Sequence, residues 1–498
     1  MSSSQSARPL DPPPIVWTIA GTDPTGGAGL QADLLTFRGL GTYGCGVITA
    51  VLAQNSQSVD SIELMSADAI EKQLKALWQE MPPHVIKLGM TGSDAAIRSI
   101  ADAFEDTGIP LVCDPVIQSS SGTDLLPPQT LKLFQERLLP LVSLITPNRP
   151  EAERITGIKI EADDDVEEAA ARLLEMGCGA VLIKGGHSAS SEWVQDFWSD
   201  GSNNAWLTAP RLSVQRTRGT GCILSSAIAA CMARGLEMLD ALVVARSYVQ
   251  QGLRAAPQVG LGENGPIGHL GWPSHSEDLP WLTDTAAAGR RGWSFPNCGS
   301  LPMGVYPIVD GVGPMKELLS LGVDVIQLRI KQSPGPVLED QVRESIRLAQ
   351  EYSARLYIND HWRTAVACNA YGVHLGQEDI SEEAATAIEK AGCRLGLSAK
   401  SFSELARAWS YRPSCLGIGT VYATNSKQCD YAPLGVEGFA ALRALTPCPV
   451  VAIGGISVEN AEPLLAAGAD GMAVISDLSE ASNVSARLSQ WRRLFGRN

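Results

Sequence analysis

The sequence predicts an α/β protein with two domains, a parallel sheet covered by helices on both faces and then a closed barrel of eight strands. Short apolar runs alternate with amphipathic stretches throughout residues 15–271, and the alternation resumes with a regular β–α period over residues 303–498. Between them, residues 272–302 are dense in Pro, Gly, Ser and lone tryptophans without a sustained period, which predicts a linker. Residues 1–14 are rich in Ser and Pro, and we expect them to form a disordered tail.

Composition narrows the functional class. A chain of 498 residues is too long for one hydrophobic core, and its formal net charge of -15 disfavours binding to nucleic acid or to an anionic membrane. The 11 cysteines include no C-x-x-C pair, which is typical of a reduced intracellular chain. No apolar run reaches the roughly 18 residues of a membrane helix, and the first residues do not resemble a signal peptide. We therefore expect a cytoplasmic protein that binds small molecules.

The strands predicted for the first domain lie at residues 16–20, 47–52, 85–88, 110–113, 142–145 and 180–183. Ligands of parallel sheets bind outside the carboxyl ends of the strands, so the polar residues that follow these runs are candidates for a site. They are Asp23, Gln54, Asp114, Asn148, Lys184 and the Gly-Gly-His sequence at 185–187. Taken singly, each is also explained as a helix cap or a turn residue.

The sequence Gly-Thr-Gly-Cys at 219–222, followed by a helical run over 223–234, has the strongest local chemistry. Two glycines let successive N–H groups point into one concavity, and the helix dipole adds positive charge, so we expect a phosphate there. The helix start should also lower the pKa of the Cys222 thiol, which could then act as a base or nucleophile. The alternative is an ordinary glycine-rich helix start with a buried cysteine.

Longer motifs decide between these alternatives. They are GTDPTGGAGLQAD at 21–33, YG at 43–44, AQN at 53–55, KLGM at 87–90, CDPV at 113–116, TPN at 146–148 and GTGC at 219–222. In this order they resemble the hydroxymethylpyrimidine/hydroxymethylpyrimidine-phosphate kinases of thiamine biosynthesis. The resemblance implies a ribokinase-like fold that uses Mg-ATP to phosphorylate the pyrimidine alcohol and then its monophosphate.

The same resemblance implies residue roles. Gln54 would hydrogen-bond the aminopyrimidine, and Asp33 and Met90 would help to line its pocket. The residues on the phosphate and nucleotide side would be Asn148, Lys184, Gly219, Thr220, Gly221 and, as the base, Cys222. A pyridoxine kinase is the close alternative within the fold, and Gln54 within its AQN block favours the pyrimidine. Arg218 stands where the family usually has His, with Arg216 two residues earlier.

In the second domain, eight strand-like runs are each followed by a helical pattern, at residues 305–309, 325–329, 355–358, 372–375, 394–398, 416–421, 450–453 and 471–475. This pattern predicts a (β/α)8 TIM barrel with its active site on the loops after the strands, and with a phosphate site after strands seven and eight. Gly454, Gly455 and Ser476 lie at that phosphate position. Asp360 and Asp379 beside basic residues suit a Mg-bound diphosphate, or are ordinary loop carboxylates.

Longer motifs again decide between the two explanations of Asp360 and Asp379. QLRIK at 327–331, IND at 358–360, GVHLGQED at 372–379 and AIGGI at 452–456 resemble thiamine phosphate synthase, which joins hydroxymethylpyrimidine diphosphate to thiazole phosphate and releases pyrophosphate. The resemblance implies that Asp360 and Asp379 bind Mg. It implies that the pyrimidine diphosphate is held by Gln327, Arg329, Lys331, Asn359, Ser398 and Lys427, and the thiazole phosphate by Thr424, Ser426, Gly455, Ile475 and Ser476. Two residues depart from the pattern of that family: Ala423 stands in place of a proline, and Lys400 stands at a position often held by His.

The leading hypothesis is a bifunctional enzyme that makes the pyrimidine diphosphate in one domain and consumes it in the other, with Mg²⁺ and ATP as cofactor and co-substrate. A second hypothesis keeps one domain as a degenerate binding or regulatory module, and Arg218 is the feature that favours it. A third is a non-enzymatic sensor of thiamine precursors, which the complete sets of catalytic residue types disfavour. Homo-oligomers through either domain are possible.

Overall fold

The computed structural model describes residues 12–118, 124–186, 192–260, 264–299, 302–331, 335–424 and 432–496, which form two compact units. The first unit comprises residues up to Pro273 together with Asp278–Arg290. The second comprises Ser274–Glu277 together with the residues from Arg291 onward. Over these ranges, no helix is both long and apolar enough to cross a membrane.

The first unit is built on one large sheet. Its described strands are β1 (Ile15–Ala20), β2 (Tyr43–Ile48), β3 (Ala50–Gln54), β4 (Val59–Leu64), β5 (Val85–Leu88), β6 (Leu111–Cys113), β7 (Leu144–Ile145), β8 (Val181–Ile183), β9 (Trp193–Ser199), β10 (Asn204–Pro210) and β11 (Trp281–Thr283). The sheet has the order β11-β10-β9-β8-β7-β6-β5-β1-β2, and its part from β8 to β2 is parallel. Strands β3 and β4 form a separate antiparallel pair. The predicted strand at 47–52 therefore spans the end of β2 and the start of β3.

Helices cover both faces of this sheet, as predicted. They are α1 (Gly29–Gly39), α2 (Ala67–Glu80), α3 (Asp94–Phe104), α4 (Pro128–Leu133), α5 (Arg149–Thr156), α6 (Asp163–Glu175), α7 (Thr220–Ala233), α8 (Met238–Arg254) and α9 (Ala286–Gly289). On one face, Trp17 of β1 is fully buried and its ring lies 5.7 Å from that of Trp78 and 6.2 Å from that of Phe104. Helix α7 is buried along most of its length because its run of small and apolar residues leaves no polar face.

Three strands depart from the predicted parallel sheet. Strands β9, β10 and β11 extend it at the β8 side and are antiparallel. The chain reverses between β9 and β10 through a short turn at Gly201, which has a φ of 86°. A two-strand hairpin needs no crossover helix, so the β–α alternation on which the prediction rested carries no signal for it.

The interval 272–302, expected to be a linker, carries ordered structure. Strand β11 pairs with β10, and the ring of its Trp281 lies 4.9 Å from that of Trp193 in the first unit. Further on, the Trp293 ring lies 5.6 Å from that of Tyr411 in the second unit. The chain passes from the first unit to the second at Arg290–Arg291. Little of this interval therefore remains to act as a free coil.

The second unit is a closed parallel barrel, which confirms the (β/α)8 prediction. Its strands within the described residues are β12 (Gly304–Val309), β13 (Val325–Leu328), β14 (Arg355–Asn359), β15 (Gly372–Leu375), β16 (Arg394–Ala399), β17 (Cys415–Gly419), β18 (Val450–Ile453) and β19 (Gly471–Val474). Strand β19 pairs with β12 and closes the ring. The helices are α10 (Val312–Ser320), α11 (Gly335–Glu351), α12 (Trp362–Ala367), α13 (Glu382–Lys390), α14 (Phe402–Ser410), α15 (Gly435–Ala444), α16 (Glu462–Ala466), α17 (Ser476–Ser479) and α18 (Val484–Leu494).

The barrel interior is packed with side chains. Tyr306, Tyr357 and Cys415 are buried in one cluster. Cys298, which precedes the first strand, belongs to the same cluster and has its Sγ 3.2 Å from the Tyr357 hydroxyl. Such a filled interior leaves the loops after the strands as the place for a ligand.

Candidate active sites

A cavity of about 800 Å³ opens at the carboxyl edge of the first unit's sheet. Among the residues singled out from the sequence, it brings together Gln54, Met90, Asp114, Asn148, Lys184, Gly219, Thr220, Gly221 and Cys222. Gly186 also lines it, whereas His187 lies outside the described residues. The predicted edge of the sheet is therefore the edge that carries the cavity.

Two glycine-rich segments meet at this cavity backbone to backbone. Gly219 has a φ of 77°, and a Cβ atom there would lie 2.0 Å from the carbonyl oxygen of Gly27. Gly29 has a φ of 58°, and a Cβ there would lie 2.5 Å from the carbonyl oxygen of Gly21. Larger residues cannot occupy these positions. Helix α7 begins directly afterwards at Thr220, whose N–H donates to the carbonyl oxygen of Thr217 at 3.4 Å. The positive end of the helix dipole is available to an anion.

Lys184 lies against the Gly-Thr-Gly turn. Its Nζ donates to Asp114 Oδ1 at 2.7 Å and lies 4.0 Å from Glu151 Oε2, and a Cβ on Gly221 would be 3.0 Å from it. Burial lowers the pKa of Lys184, but the charges of Asp114 and Glu151 outweigh burial and raise it to about 12. Burial also raises the pKa of Glu151 to about 7. Lys184 is therefore a permanent cation at the turn.

Cys222 lines the cavity in the first turn of α7, but the expected low pKa of its thiol is wrong. Burial raises the pKa, and although the ammonium of Lys87 lowers it, the charges of Asp114 and Asp33 raise it further, to about 12. Desolvation and two carboxylates outweigh the helix start.

The expected role of Asp33 as a lining residue is also wrong. Its carboxylate is fully buried, where it accepts hydrogen bonds from Thr18 Oγ1 at 2.6 Å, Lys87 Nζ at 2.8 Å and Ser226 Oγ at 2.7 Å. Lys87 itself reaches the cavity wall. Asp33 therefore contacts the cavity wall through its ion pair with Lys87. Sequence reasoning missed Lys87, although a lysine within the apolar run Val-Ile-Lys-Leu of β5 is a signal of a buried charge.

The opposite end of the cavity is apolar. Ala50, Leu52, Met90 and Leu125 form a small buried cluster there. Gln54 stands at the same end, and its Nε2 donates to the carbonyl oxygen of Thr22 at 3.3 Å. A flat ring with polar edges fits this combination of apolar walls and one carboxamide.

Two further features hold the cavity wall in place: a helix cap, which the sequence offered as an alternative role, and a buried ion pair, which was not anticipated. Asn148 caps helix α5, its Oδ1 accepting from the N–H of Glu151 at 2.8 Å, so it has a structural role beside any contact with a nucleotide. Arg246 and Asp196 are both buried in the cavity wall, with 3.1 Å between Nε and Oδ2, and Asp196 Oδ1 accepts from the N–H of Gly185. This pair fixes the loop that carries Lys184.

At the mouth of the barrel, the first predicted group follows β13. Gln327 is buried on the strand, where its Nε2 donates to the Tyr306 hydroxyl at 3.3 Å. Arg329 is held by its backbone N–H, which donates to the carbonyl oxygen of Val309 at 2.7 Å, and Lys331 is exposed. The amide is thus fixed while the two cations extend from the rim.

The two predicted metal ligands lie close together. Asp360 has a φ of 62°, and its N–H donates to the carbonyl oxygen of His374. Burial and the charge of Asp379 raise the pKa of Asp360, whereas Arg329 lowers it. A divalent cation would relieve the repulsion between the two carboxylates, so the pair fits Mg²⁺. In the described part of the chain, no group of three or more His, Cys, Asp or Glu side chains has metal-binding geometry, so the other ligands would come from diphosphate and water.

Ser398 is held by two neighbours that the sequence did not single out. His374 Nε2 lies 2.9 Å from Ser398 Oγ, and Gln377 Nε2 donates to the Ser398 carbonyl oxygen at 2.6 Å. Burial lowers the pKa of His374 to about 4, so its ring is neutral at pH 7. Gly417 leaves room for the ring, since a Cβ there would lie 3.2 Å from it. The missed signal was half-buried polar side chains at the ends of two adjacent strands, β15 and β16.

The predicted phosphate end follows β18 and β19. Gly454 and Gly455 have φ values of 102° and 64°, and a Cβ on Gly455 would lie 2.4 Å from the carbonyl oxygen of Ala423. Ser476 is the first residue of the short helix α17, and Ile475 is its N-cap. Thr424 is the last described residue of its loop, and Ser426 and Lys427 lie outside the described residues.

Comparisons with known proteins assign a family to each of the two units. A family model described as phosphomethylpyrimidine kinase matches residues 23–268, and one described as thiamine monophosphate synthase matches residues 309–478. The chain is 34% identical to the chloroplastic thiamine biosynthetic bifunctional enzyme of Arabidopsis thaliana, over 96% of this chain and 92% of that relative. It is 40% identical to the hydroxymethylpyrimidine/phosphomethylpyrimidine kinase of Streptomyces coelicolor, over 52% of this chain and 95% of that relative.

The fold comparison agrees for the first unit. The structure of the pyridoxal kinase from Staphylococcus aureus in complex with ADP superposes with a TM-score of 0.51 at 28% identity, covering 55% of this chain and 100% of that chain. The ATP-using kinase fold and the closed barrel are thus joined in one polypeptide. The chain belongs to the family of bifunctional thiamine biosynthetic enzymes, in which a hydroxymethylpyrimidine and hydroxymethylpyrimidine-phosphate kinase is fused to a thiamine phosphate synthase.

Proposed function

We propose that the first unit phosphorylates the pyrimidine within the cavity described above, and that its two ends divide the work. Gln54 and the apolar cluster with Met90 bind the aminopyrimidine ring. Lys184 and the turn Gly219-Thr220-Gly221 bind the phosphoryl group in transfer, and Asn148 lies on the nucleotide side. The observation that carries this assignment is the backbone contact between Gly219 and Gly27, which brings the helix N-terminus to the cavity.

The transfer depends on positioning and charge. The first N–H groups of α7 and the ammonium of Lys184 offset negative charge as the phosphoryl group moves. Cys222 accepts the proton of the pyrimidine hydroxyl only as its thiolate, so its own proton must leave first. Because burial raises the pKa of this thiol, it serves as a base only where cations offset its charge, and Lys87 is a cation that already lowers its pKa.

For the barrel, we propose that Asp360 and Asp379 hold Mg²⁺, which when bound neutralises charge on the leaving diphosphate. Gln327, Asn359 and Ser398 orient the pyrimidine. The diphosphate is bound by Arg329, Lys331 and Lys427. The phosphate of the thiazole substrate is bound by Thr424, Ser426, Gly455, Ile475 and Ser476.

The barrel's own residues then act on the leaving group. The C–O bond to the diphosphate breaks, and the electron-rich aminopyrimidine stabilises the cation that results. The thiazole nitrogen donates its electron pair to that carbon, and pyrophosphate leaves. The cations Arg329 and Lys331 on the rim stabilise the departing oxygens.

One experiment tests both assignments. The purified chain is supplied with the pyrimidine alcohol, thiazole phosphate, ATP and Mg²⁺. We expect thiamine phosphate, ADP and pyrophosphate as products. Formation of the pyrimidine diphosphate without thiamine phosphate would contradict the barrel assignment, and failure to consume ATP would contradict the kinase assignment.

We also propose that residues 15–271, extended by strand β11, form the kinase domain and that residues 303–498 form the synthase domain. We further propose a cytoplasmic location and self-association. The ten cysteines within the described residues are free thiols, which supports a reducing compartment. Four exposed apolar side chains of the first unit support a contact between copies: Leu35, Tyr43, Val51 and Leu64. Localisation of a fluorescent fusion and light scattering of the purified chain test these two proposals.

A further inference from the structure

Arg218 combines burial with an unused hydrogen-bond donor. It lines the kinase cavity and is only 7% exposed. Its Nε and Nη2 donate to the same oxygen, Asp23 Oδ2, at 3.2 and 2.9 Å. The other oxygen of Asp23 accepts from the N–H and hydroxyl of Thr25. In the described part of the chain, Nη1 of Arg218 has no protein partner.

The position of Arg218 lies between the two ends of the cavity. Asp23 follows Thr22, whose carbonyl oxygen is bound by Gln54 at the pyrimidine end, and consecutive Cα atoms are about 3.8 Å apart. On its other side, Arg218 directly precedes Gly219 of the phosphoryl-binding turn. A Cβ on Gly27 would lie 3.1 Å from Arg218 Cδ, so the arginine stem packs against the loop that it binds.

Each of the other cations of the cavity wall has a protein partner, although Arg246 Nε lies 3.1 Å from Asp196 Oδ2 without forming a hydrogen bond. Within the described residues, Asp33 is the partner of Lys87, Asp124 of Arg154, Asp114 of Lys184, the Gly186 carbonyl oxygen of Arg211, and Asp196 of Arg246. Lys184 also lies against the turn that receives the phosphoryl group. A second phosphate at the pyrimidine end would therefore need a further cation.

The two acceptors make different chemical demands. The alcohol must lose a proton before its oxygen attacks the terminal phosphorus of ATP. The monophosphate has a second pKa near 6, so at pH 7 it attacks with an oxygen that is already anionic. In its reaction a new P–O bond forms, the bond between the β- and γ-phosphates of ATP breaks, and ADP leaves. The second step thus needs a fixed cation more than a base.

Resting on the kinase function proposed above, we propose that Arg218 recognises the phosphate group of the pyrimidine monophosphate and so adapts this cavity to the second phosphorylation. Its guanidinium stays charged at every working pH and offers Nη1 to a phosphate oxygen while Asp23 holds the rest of the side chain.

The test compares the two acceptors separately in the full chain. kcat/KM is measured with the alcohol and with the monophosphate, at saturating ATP and Mg²⁺, for the parent and for Arg218→Met, Arg218→Lys and Arg218→His. We expect Arg218→Met to lower kcat/KM for the monophosphate about 10- to 100-fold more than for the alcohol, the value of a charge-assisted hydrogen bond. For Arg218→Lys we expect a selective loss of kcat/KM smaller than that of Arg218→Met, because lysine keeps the positive charge but lacks the several N–H donors of the guanidinium. Cys222→Ala should instead lower kcat/KM more for the alcohol than for the monophosphate.

Controls separate recognition from structure. Arg218→Met leaves Asp23 buried and unpaired, so the double variant Arg218→Met/Asp23→Asn is measured as well and should keep the selective loss. Arg254→Met breaks another ion pair with a buried carboxylate, the 2.7 Å contact to Asp278, and should leave the ratio of the two kcat/KM values unchanged. Calorimetric titration without ATP should show weaker binding of the monophosphate and unchanged binding of the alcohol.

Equal losses of kcat/KM for both acceptors, or no loss, would overturn the proposal. Arg218 would then only hold the loop that carries Asp23. A parent enzyme that phosphorylates the alcohol but not the monophosphate would also overturn it, while the kinase assignment stands. A parent that phosphorylates neither acceptor would instead contradict the kinase assignment itself.

Discussion

The two sites differ in where their charged side chains lie and in whether those side chains are paired. In the kinase cavity, charged groups are buried and paired with one another: Lys87 and Asp33 are both 0% exposed, and Lys184–Asp114 and Arg218–Asp23 are nearly as buried. At the barrel mouth, Lys331, Asp360 and Asp379 are exposed on loops. The charged groups of the kinase site are already paired within the protein, whereas those at the barrel mouth would gain partners from the diphosphate that we propose binds there.

The difference follows from the chemistry. Transfer of a phosphoryl group requires fixed donors that keep water away from the reacting phosphorus. When a diphosphate departs, cations must stabilise a large, strongly hydrated anion and then let it dissociate. Changing a kinase charge should therefore affect both folding and catalysis, whereas changing a barrel charge should affect catalysis alone.

The largest effect is expected from Cys222→Ala. With the alcohol as acceptor, kcat should fall about 10²- to 10⁴-fold because the general base is lost. Coupling of supplied pyrimidine diphosphate should remain, since that site lies in the other unit. Cys231→Ala, a buried cysteine on the same helix, is the matched control and should keep the parent kcat. Retention of most kinase activity by Cys222→Ala would make this thiol a packing residue.

Lys87→Met tests the buried pairing of the kinase unit. Removing one partner leaves the Asp33 carboxylate buried and uncompensated, which should cost about 3–5 kcal/mol of the free energy of unfolding in urea. The double variant Lys87→Met/Asp33→Asn should recover much of the loss. Lys72→Met breaks a pair whose side chains are 74% and 73% exposed, and should change stability by about 0.5 kcal/mol or less. Equal effects of Lys87→Met and Lys72→Met would contradict the contrast between the sites.

Asp360→Asn and Asp379→Asn test the open barrel mouth. Each should lower the coupling rate about 10²-fold and shift Mg²⁺ activation to higher concentration, because one metal-binding charge is lost. The kinase rate and the urea midpoint of the barrel should not change. Asp340→Asn on the outer helix α11 serves as the control. Mg²⁺ activation curves that match the parent for both variants would exclude these carboxylates as metal ligands.

The smallest expected effect concerns pH. The folded protein raises the pKa of Glu151 from 4.5 to about 7, so the folded state holds a proton that the unfolded chain releases. Stability of the first unit should therefore fall by about 1–3 kcal/mol as pH rises through this window, and Glu151→Gln should remove that slope.

The barrel provides the contrast in the same titration. The pKa of His374 is lowered from 6.5 to about 4, so this group should make the barrel lose stability as pH falls through that interval. Urea midpoints of the two transitions, measured from pH 4 to pH 8, check both signs. A slope in the first unit that Glu151→Gln leaves intact would assign it to another group.

Local sequence patterns determined the parallel strands, the eight β–α units and the edges that carry the sites. Apolar runs of four to six residues such as β5 and β18 are buried on both faces, so composition alone marks them. Glycine positions such as Gly219 and Gly455 were also recognisable, because left-handed backbone and close backbone contacts require them.

Tertiary structure alone decided which charges pair and what they do to a thiol. Asp33 is 54 residues from Lys87, and Asp23 is 195 residues from Arg218, so no local pattern predicts either pair. The helix start at Cys222 suggested a low pKa, but burial beside Asp114 and Asp33 reversed the direction. The antiparallel strand β11 likewise arose from a segment whose short apolar run gains stability only beside β10. Periodicity records which face is buried, whereas the folded chain decides which groups share that buried space.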